Sequence, residues 1–431
     1  MSAVPTVARK AVGAIEHDSR RAWTVTALLV VFMMINFADK SVLGLAADEI
    51  RADLHLSATE FGLANSAFFL LFSVAAVVVG LAADRVSPKL LILVMAVLWA
   101  VAQVPAAIGG GLAVLIASRV FLGAAEGPAF PVAQQATLAW FPNHRRNLPG
   151  ALITLGVTLG VIVSAPGLSW VIQHHGWRAA LWVLVAIGVV WSVAWAALGA
   201  DGQHRTGPEP PAADSTADPQ LPSYREIFGS RTWIGTTLAY FTSYWSVALM
   251  LVWLPSYLRG ALGHSAHAAG TLVAAPWAVG AVVLLAQAGV TGRLMRRGVG
   301  SRIARGWVGG GLLVFGAACC LALPLVDGAG AKTALVALGF GVGGSYATIA
   351  ATTVAELATP ARSGGALGVM NAVVTLAGLA APAVVGALVD AQGTGGYQSA
   401  IVLAGLLLAV GAAASFLLVD PDRDATRPLT H

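Results

Sequence analysis

The chain has 431 residues, of which 57% are hydrophobic and only 10% charged, against about 25% charged in an ordinary soluble domain. That composition excludes a soluble enzyme, and the formal net charge of +5 bears on membrane topology rather than on a nucleic-acid partner. The two cysteines, Cys319 and Cys320, are adjacent in an apolar run and offer neither a disulfide framework nor a zinc site.

Residues 1–21 carry Arg9, Lys10, Arg20 and Arg21 and precede an apolar run with no small-residue cleavage site. They read as a cytoplasmic tail before a retained first helix. A helix that crosses a bilayer needs about 20 apolar residues, and ten stretches are free of Asp, Glu, Lys and Arg: 61–83, 90–118, 147–177, 179–200, 232–258, 260–292, 306–326, 333–355, 363–389 and 391–419. Two more, near 22–47 and 112–138, are interrupted by Asp39, Lys40, Arg119 and Glu126, and bring the total to twelve spans. The expected fold is all-α: a polytopic membrane protein of twelve transmembrane helices.

Residues 200–230 are polar and rich in Pro, Ala and Asp, too poor in apolar side chains to pack, and read as a cytoplasmic linker. They divide a six-helix bundle over 22–199 from a second over 231–420, with a short cytoplasmic tail at 421–431. The halves echo each other. Gly150-Ala151-Leu152 followed by Ala165-Pro166 in span 5 recurs as Gly365-Ala366-Leu367 followed by Ala381-Pro382 in span 11, at offsets of 215 and 216. Such a repeat predicts two pseudo-symmetric bundles with a site between them. Assigned alternately, the loops place 19 Lys and Arg on one side and four on the other. The positive-inside rule then puts both termini in the cytoplasm, in an inner or cytoplasmic membrane.

An ionisable residue at bilayer depth costs about 2.5–3.5 kcal/mol or more and is by default a functional candidate. Asp39 and Lys40 are consecutive in span 1, so on a helix they diverge by about 100° and can flank a central cavity. Arg119 and Glu126, seven apart in span 4, project from one face about 10.5 Å apart along the axis. The carboxylates are candidate proton carriers, and the two cations are candidate partners for an organic carboxylate. A static pairing of Asp39 with Arg119 and Glu126 with Lys40 is the competing structural reading. Further polar candidates for the cavity include Gln134 in span 4, Tyr244 in span 7 and Asn371 in span 11. After span 2, Gly80-x-x-x-Asp84-Arg85, with Lys89 beyond it, offers charges that could latch neighbouring helix ends as the halves rock.

These residues resemble the major facilitator superfamily, and within it the anion:cation symporter family. Gly80-x-x-x-Asp84-Arg85 is similar to the superfamily's loop 2–3 motif, with Ser87 where glycine is usual. Arg119-Val-Phe-Leu-Gly123-Ala-Ala-Glu126-Gly127-Pro128-Ala-Phe130-Pro131, continuing to Trp140-Phe141-Pro142 and Arg146, looks like the family's span 4. Asn36-Phe37-Ala38-Asp39-Lys40, Trp253-Leu254-Pro255-Ser256-Tyr257-Leu258 and Gly368-Val369-Met370-Asn371 with Pro382 extend the likeness across both halves. The resemblance implies proton-coupling roles for Asp39 and Glu126, substrate-binding roles for Lys40, Arg119 and Asn371, and a gating role for the loop motif. Lys40 stands where the family usually has arginine, and Gly292 where the repeated loop motif would have an acid.

The expected function is secondary active transport: proton-coupled import of a small organic anion, such as a sugar acid, dicarboxylate or aromatic acid, by a monomer without cofactor or metal. A proton-antiporting efflux pump is the first rival, but Gly156-Val-Thr-Leu-Gly160 is followed by Val161 and not by that group's proline. A non-transporting sensor would need a folded cytoplasmic domain for which the tail leaves no room. An embedded enzyme would need a metal cluster or a nucleophile with a paired histidine, and the spans offer neither.

Overall fold

The computed structural model describes residues 6–82, 86–141, 147–202, 223–358 and 360–425 of the protein. The apolar runs fold as helices because a backbone in lipid must satisfy its own N–H and C=O groups, which an α-helix does within one segment. The first half contains α1 (Thr6–Leu45), α2 (Ala47–Asp53), α3 (Ala58–Ala82), α4 (Pro88–Ile108), α5 (Gly111–Glu126), α6 (Ala129–Leu138), α7 (Asn147–His175) and α8 (Trp177–Leu198). The second contains α9 (Tyr224–Gly229), α10 (Arg231–Val252), α11 (Leu254–Ser256), α12 (Ala266–Leu272), α13 (Ala274–Arg296), α14 (Val308–Ala322), α15 (Ala329–Gly343), α16 (Ala347–Leu357), α17 (Pro360–Gln392), α18 (Gly395–Leu418) and α19 (Pro421–Ala425). No strand occurs among the described residues.

Eleven helical segments are long and apolar enough to cross a membrane. The twelfth span is broken: α10 and the stretch Leu254–Ala261 meet at 60°. Pro255 explains the bend, since it has no N–H to return to the carbonyl of Leu251. Spans 4 and 10 are also interrupted, between α5 and α6 at Gly127-Pro128 and between α15 and α16 at Gly344–Tyr346. At each break a neighbouring span supplies a donor to the disturbed backbone. Trp99 Nε1 donates to the Ala125 carbonyl at 3.0 Å, and Gln287 Nε2 to that of Ser345 at 2.8 Å.

The arrangement follows the predicted duplication. Span 2 (α3) packs on span 11 (α17), and span 5 (α7) packs on span 8 (α12 and α13). Exchanging the halves converts one pair into the other, and both α7 and α17 carry the repeated proline, Pro166 and Pro382. Within the segment read as a linker, residues 203–222 lie outside the described residues. Its end instead forms α9, because Ser223 and Glu226 make a reciprocal capping box.

One packing contact positions the site. Gly123 of α5 and Gly127, the residue that follows α5, lie against the carbonyls of Phe68 and Phe72 on α3. A Cβ at either glycine would overlap a backbone oxygen, so this Gly-x-x-x-Gly pair sets the distance between spans 2 and 4. Gly123→Ala is expected to force the helices apart at a cost of about 1–3 kcal/mol. A clear fall in the melting temperature of the detergent-purified protein checks this; an unchanged value would mean that α3 has slack there.

Candidate functional site

The four intramembrane charges predicted from the sequence converge in the first half. Their exposures are 1% for Asp39, 8% for Lys40, 4% for Arg119 and 1% for Glu126. Lys40, on α1, makes an ion pair with Glu126 Oε2 of α5 at 3.1 Å and donates a short hydrogen bond to Asn36 Oδ1 one turn earlier. Its ammonium lies 4.5 Å from the centre of the Phe37 ring, 5.4 Å from Phe72 and 5.8 Å from Phe68. These ring faces offset part of the desolvation of the cation.

Asp39 diverges from Lys40, as the 100° rotation requires, and meets Gln103 of α4, with Glu126 and Arg119 within electrostatic reach. Its Oδ1 has no hydrogen-bond partner, nor do Oε1 of Gln103 and Oε1 of Glu126. Arg119 lies over Phe68 at 4.9 Å. Among the described residues its guanidinium joins no ion pair, and its Nε is unpartnered. Of the two pairings weighed above, Lys40 with Glu126 is present, while Arg119 is left as a buried cation without a carboxylate bonded to it.

With all four groups charged the cluster is neutral. Each proton taken up by a carboxylate leaves one uncompensated cation in a medium where isolated charge is costly. An anion entering beside Arg119 would restore neutrality, and an arginine can grip a carboxylate with two parallel bonds. A proton on a carboxylate and an anion beside Arg119 would therefore favour each other on electrostatic grounds.

Among the described residues, none of the remaining sequence candidates forms a hydrogen bond or ion pair with this cluster. Tyr244 of α10 packs on Phe69 at 6.3 Å, and Phe69 on Phe68 at 5.1 Å, so an aromatic chain runs from the cations to the second half. Gln134 donates instead to the Gly150 carbonyl of α7 at 3.3 Å. Asn371 is exposed on α17, one turn from Thr375, whose hydroxyl bonds Ser73 of α3 across the halves. Of the loop motif, Gly80 is in the last turns of α3, Asp84 and Arg85 lie outside the described residues, and Lys89 opens α4. Its backbone N–H donates to Asp201 at 2.7 Å and its carbonyl accepts from Trp195. The sequence reading missed Gln103, Phe68 and Phe72. A lone amide in the apolar run 90–118 was the available signal for the first; nothing in the sequence distinguishes the two phenylalanines from lipid-facing ones. Among the described residues, no three His, Cys, Asp or Glu side chains are grouped to hold a metal ion.

Comparison with known proteins adds relatives of the same length. The chain is 29% identical over 419 residues to a probable sulfoacetate transporter of Cupriavidus necator, covering 92% of this chain and 93% of that one. It is 28% identical to a hexuronate transporter of Bacillus subtilis, with 91% and 94% covered, and 27% identical to a D-galactonate transporter of Escherichia coli, with 93% and 96% covered. Among solved structures, a bacterial homologue of the human lysosomal transporter Spinster, in an inward-facing and unoccupied conformation, superposes with a TM-score of 0.78 at 17% identity over 95% of this chain and 99% of that one. The D-xylose-proton symporter superposes at 0.73 and 13% identity over 94% and 99%; both share the fold. The model of the Major Facilitator Superfamily matches residues 29–355. A match that runs from α1 into α16 spans both halves and their breaks, and it makes this chain a member of the Major Facilitator Superfamily, a family of membrane transporters.

Proposed function

We propose that the protein imports a small organic anion bearing a carboxylate or sulfonate together with protons across the cytoplasmic membrane, with both termini inside and the α2 end outside. The observation that carries this reading is the buried, unpaired guanidinium of Arg119 beside a Lys40–Glu126 ion pair and Asp39. Three relatives whose names specify sulfoacetate, a hexuronate and galactonate support an anionic substrate, since all three are anions at neutral pH. The orientation rests on the distribution of Lys and Arg among the loops.

The cycle follows from the charge balance. Protons entering from the outside neutralise Asp39 and Glu126, which frees Lys40 from its ion pair. The anion then binds between Lys40 and Arg119 and offsets their charge, and the loaded cavity allows the halves to rock. After release of anion and protons to the inside, Glu126 recaptures Lys40. The ion pair at 3.1 Å matches that unloaded step.

The test is uptake of labelled galactonate, glucuronate and sulfoacetate into proteoliposomes under an imposed pH gradient. Acid outside should drive saturable accumulation of at least one of them. Uptake of all three that ignores the gradient, or efflux of lipophilic cations in its place, would overturn the reading.

A further inference from the structure

Among the described residues, the ion pairs that join the halves lie at the α2 end. Arg259, in the π-helical turn Tyr257–Ala261 after α11, donates from Nη1 to Glu49 Oε1 at 2.7 Å and lies 3.4 Å from Asp48 Oδ2 through Nε. Ser256 Oγ donates to the other oxygen of Asp48 at 2.9 Å. Arg51, from the same short α2, faces the opposite sign: it lies within electrostatic reach of Asp390 and beside Tyr397. Three charged residues of one seven-residue helix thus each meet a complementary group in the other half.

Asp390 adds a second kind of contact. It sits in the last turn of its own helix α17, where the macrodipole disfavours an acid. Its two carboxylate oxygens accept instead from the backbone N–H groups of Ala58 and Thr59, at 2.8 and 2.7 Å, which open the 25-residue α3 of the first half. The same carboxylate is therefore misplaced for its own helix and well placed for its partner's. Beneath this ring of charge the backbones touch. Gly44 lies against the Leu251 carbonyl that Pro255 leaves without its helical partner, Gly62 against the Pro382 carbonyl, and Gly386 against that of Ala58.

We propose that Arg259 with Asp48 and Glu49, and Asp390 on the N-terminus of α3, form a two-part latch that holds the α2 end of the transporter closed and sets the balance between its two conformations. Each part exchanges water for charge-assisted bonds only when the halves meet, so each contributes free energy to one state and none to the other. The latch is separate from the Lys40–Glu126 cluster, which lies within the first half. Substitutions in it change the state population without removing a group from the substrate site.

The experiment measures the distance between spin labels at His55→Cys and Thr394→Cys, both exposed at this end, in full-length protein with Cys319 and Cys320 replaced by alanine. The unaltered latch should give mainly the short distance. Asp390→Asn and Arg259→Ala should each raise the ratio of long to short distances about tenfold. The charge-swapped triple variant Arg259→Glu, Asp48→Arg, Glu49→Arg should recover the short distance, which separates a latch from a folding defect. Distance distributions unchanged in both single variants, or a triple variant that opens further than Arg259→Ala, would overturn the proposal. The readout uses neither substrate nor protons, so its outcome is independent of the coupling reading.

Discussion

Reconstituted Glu126→Gln protein should exchange its anion across the membrane yet lose accumulation driven by a pH gradient. The amide is close in shape to the protonated carboxyl, so the substitution holds the cluster in its proton-loaded charge state. Lys40 loses the ion pair at 3.1 Å, and with Asp39 ionised the cluster carries a net positive charge whatever the external pH. The anion can still bind and the halves can still rock. What disappears is the step in which releasing a proton returns Lys40 to Glu126 and expels the anion. Each coupled proton is worth about tenfold in accumulation per pH unit, and that factor should vanish while counterflow persists. Accumulation retained at the level of the unsubstituted protein would remove Glu126 from the coupling path. The same result with Asp39→Asn would leave the cluster as a structural ion-pair network.

The second large effect is expected for Arg119→Ala. Arg119 is 4% exposed, and its guanidinium rests on Phe68 and joins no ion pair among the described residues. A buried cation in that position is a cost to the empty protein. The cluster can regain neutrality without it by taking a proton onto a carboxylate, so removing it should change the melting temperature of the ligand-free protein little, whereas removing a structural group would lower it. Binding should suffer, because loss of one partner of a desolvated charge pair costs about 2–5 kcal/mol in general terms, or about 30-fold or more in affinity. A thermal-shift titration measures both quantities at once, since a ligand stabilises the folded state by mass action. Arg119→Lys should restore part of the shift, as it keeps the charge without the planar fork. A ligand-induced shift unaltered in Arg119→Ala would exclude the residue from the site.

Much of this molecule could be read along the chain. Twelve spans, two halves and the four charges at bilayer depth follow from composition and spacing, because lipid leaves a backbone few options and makes every ionisable side chain conspicuous. The repeat at Pro166 and Pro382 reappears as two helices that cross to the opposite half. The divergence of Asp39 from Lys40 also follows from helix geometry alone.

Other features required the folded chain. Two of the cation's aromatic neighbours, Phe68 and Phe72, come from α3, and no pattern marks them among the other phenylalanines; they reach the charges because Gly123 and Gly127 admit the α3 backbone. Gln103 is one amide in an apolar run until α4 packs beside α1 and brings it to Asp39. Gln134, equally plausible by type, gives its amide N–H to the backbone of α7. Asn371 is exposed and makes no described side-chain contact with the charges.

By itself the sequence determined that the protein crosses a membrane twelve times as a duplicated bundle, and which four residues carry charge into it, because the penalty for apolar surface in water and for charge in lipid is local to each segment. Only the tertiary structure decided which charges pair and which stays free. It also decided that the acids of α2 and Asp390 serve the opposite half, since ion pairs and helix-end bonds form between segments far apart in the chain, in one relative placement of the halves.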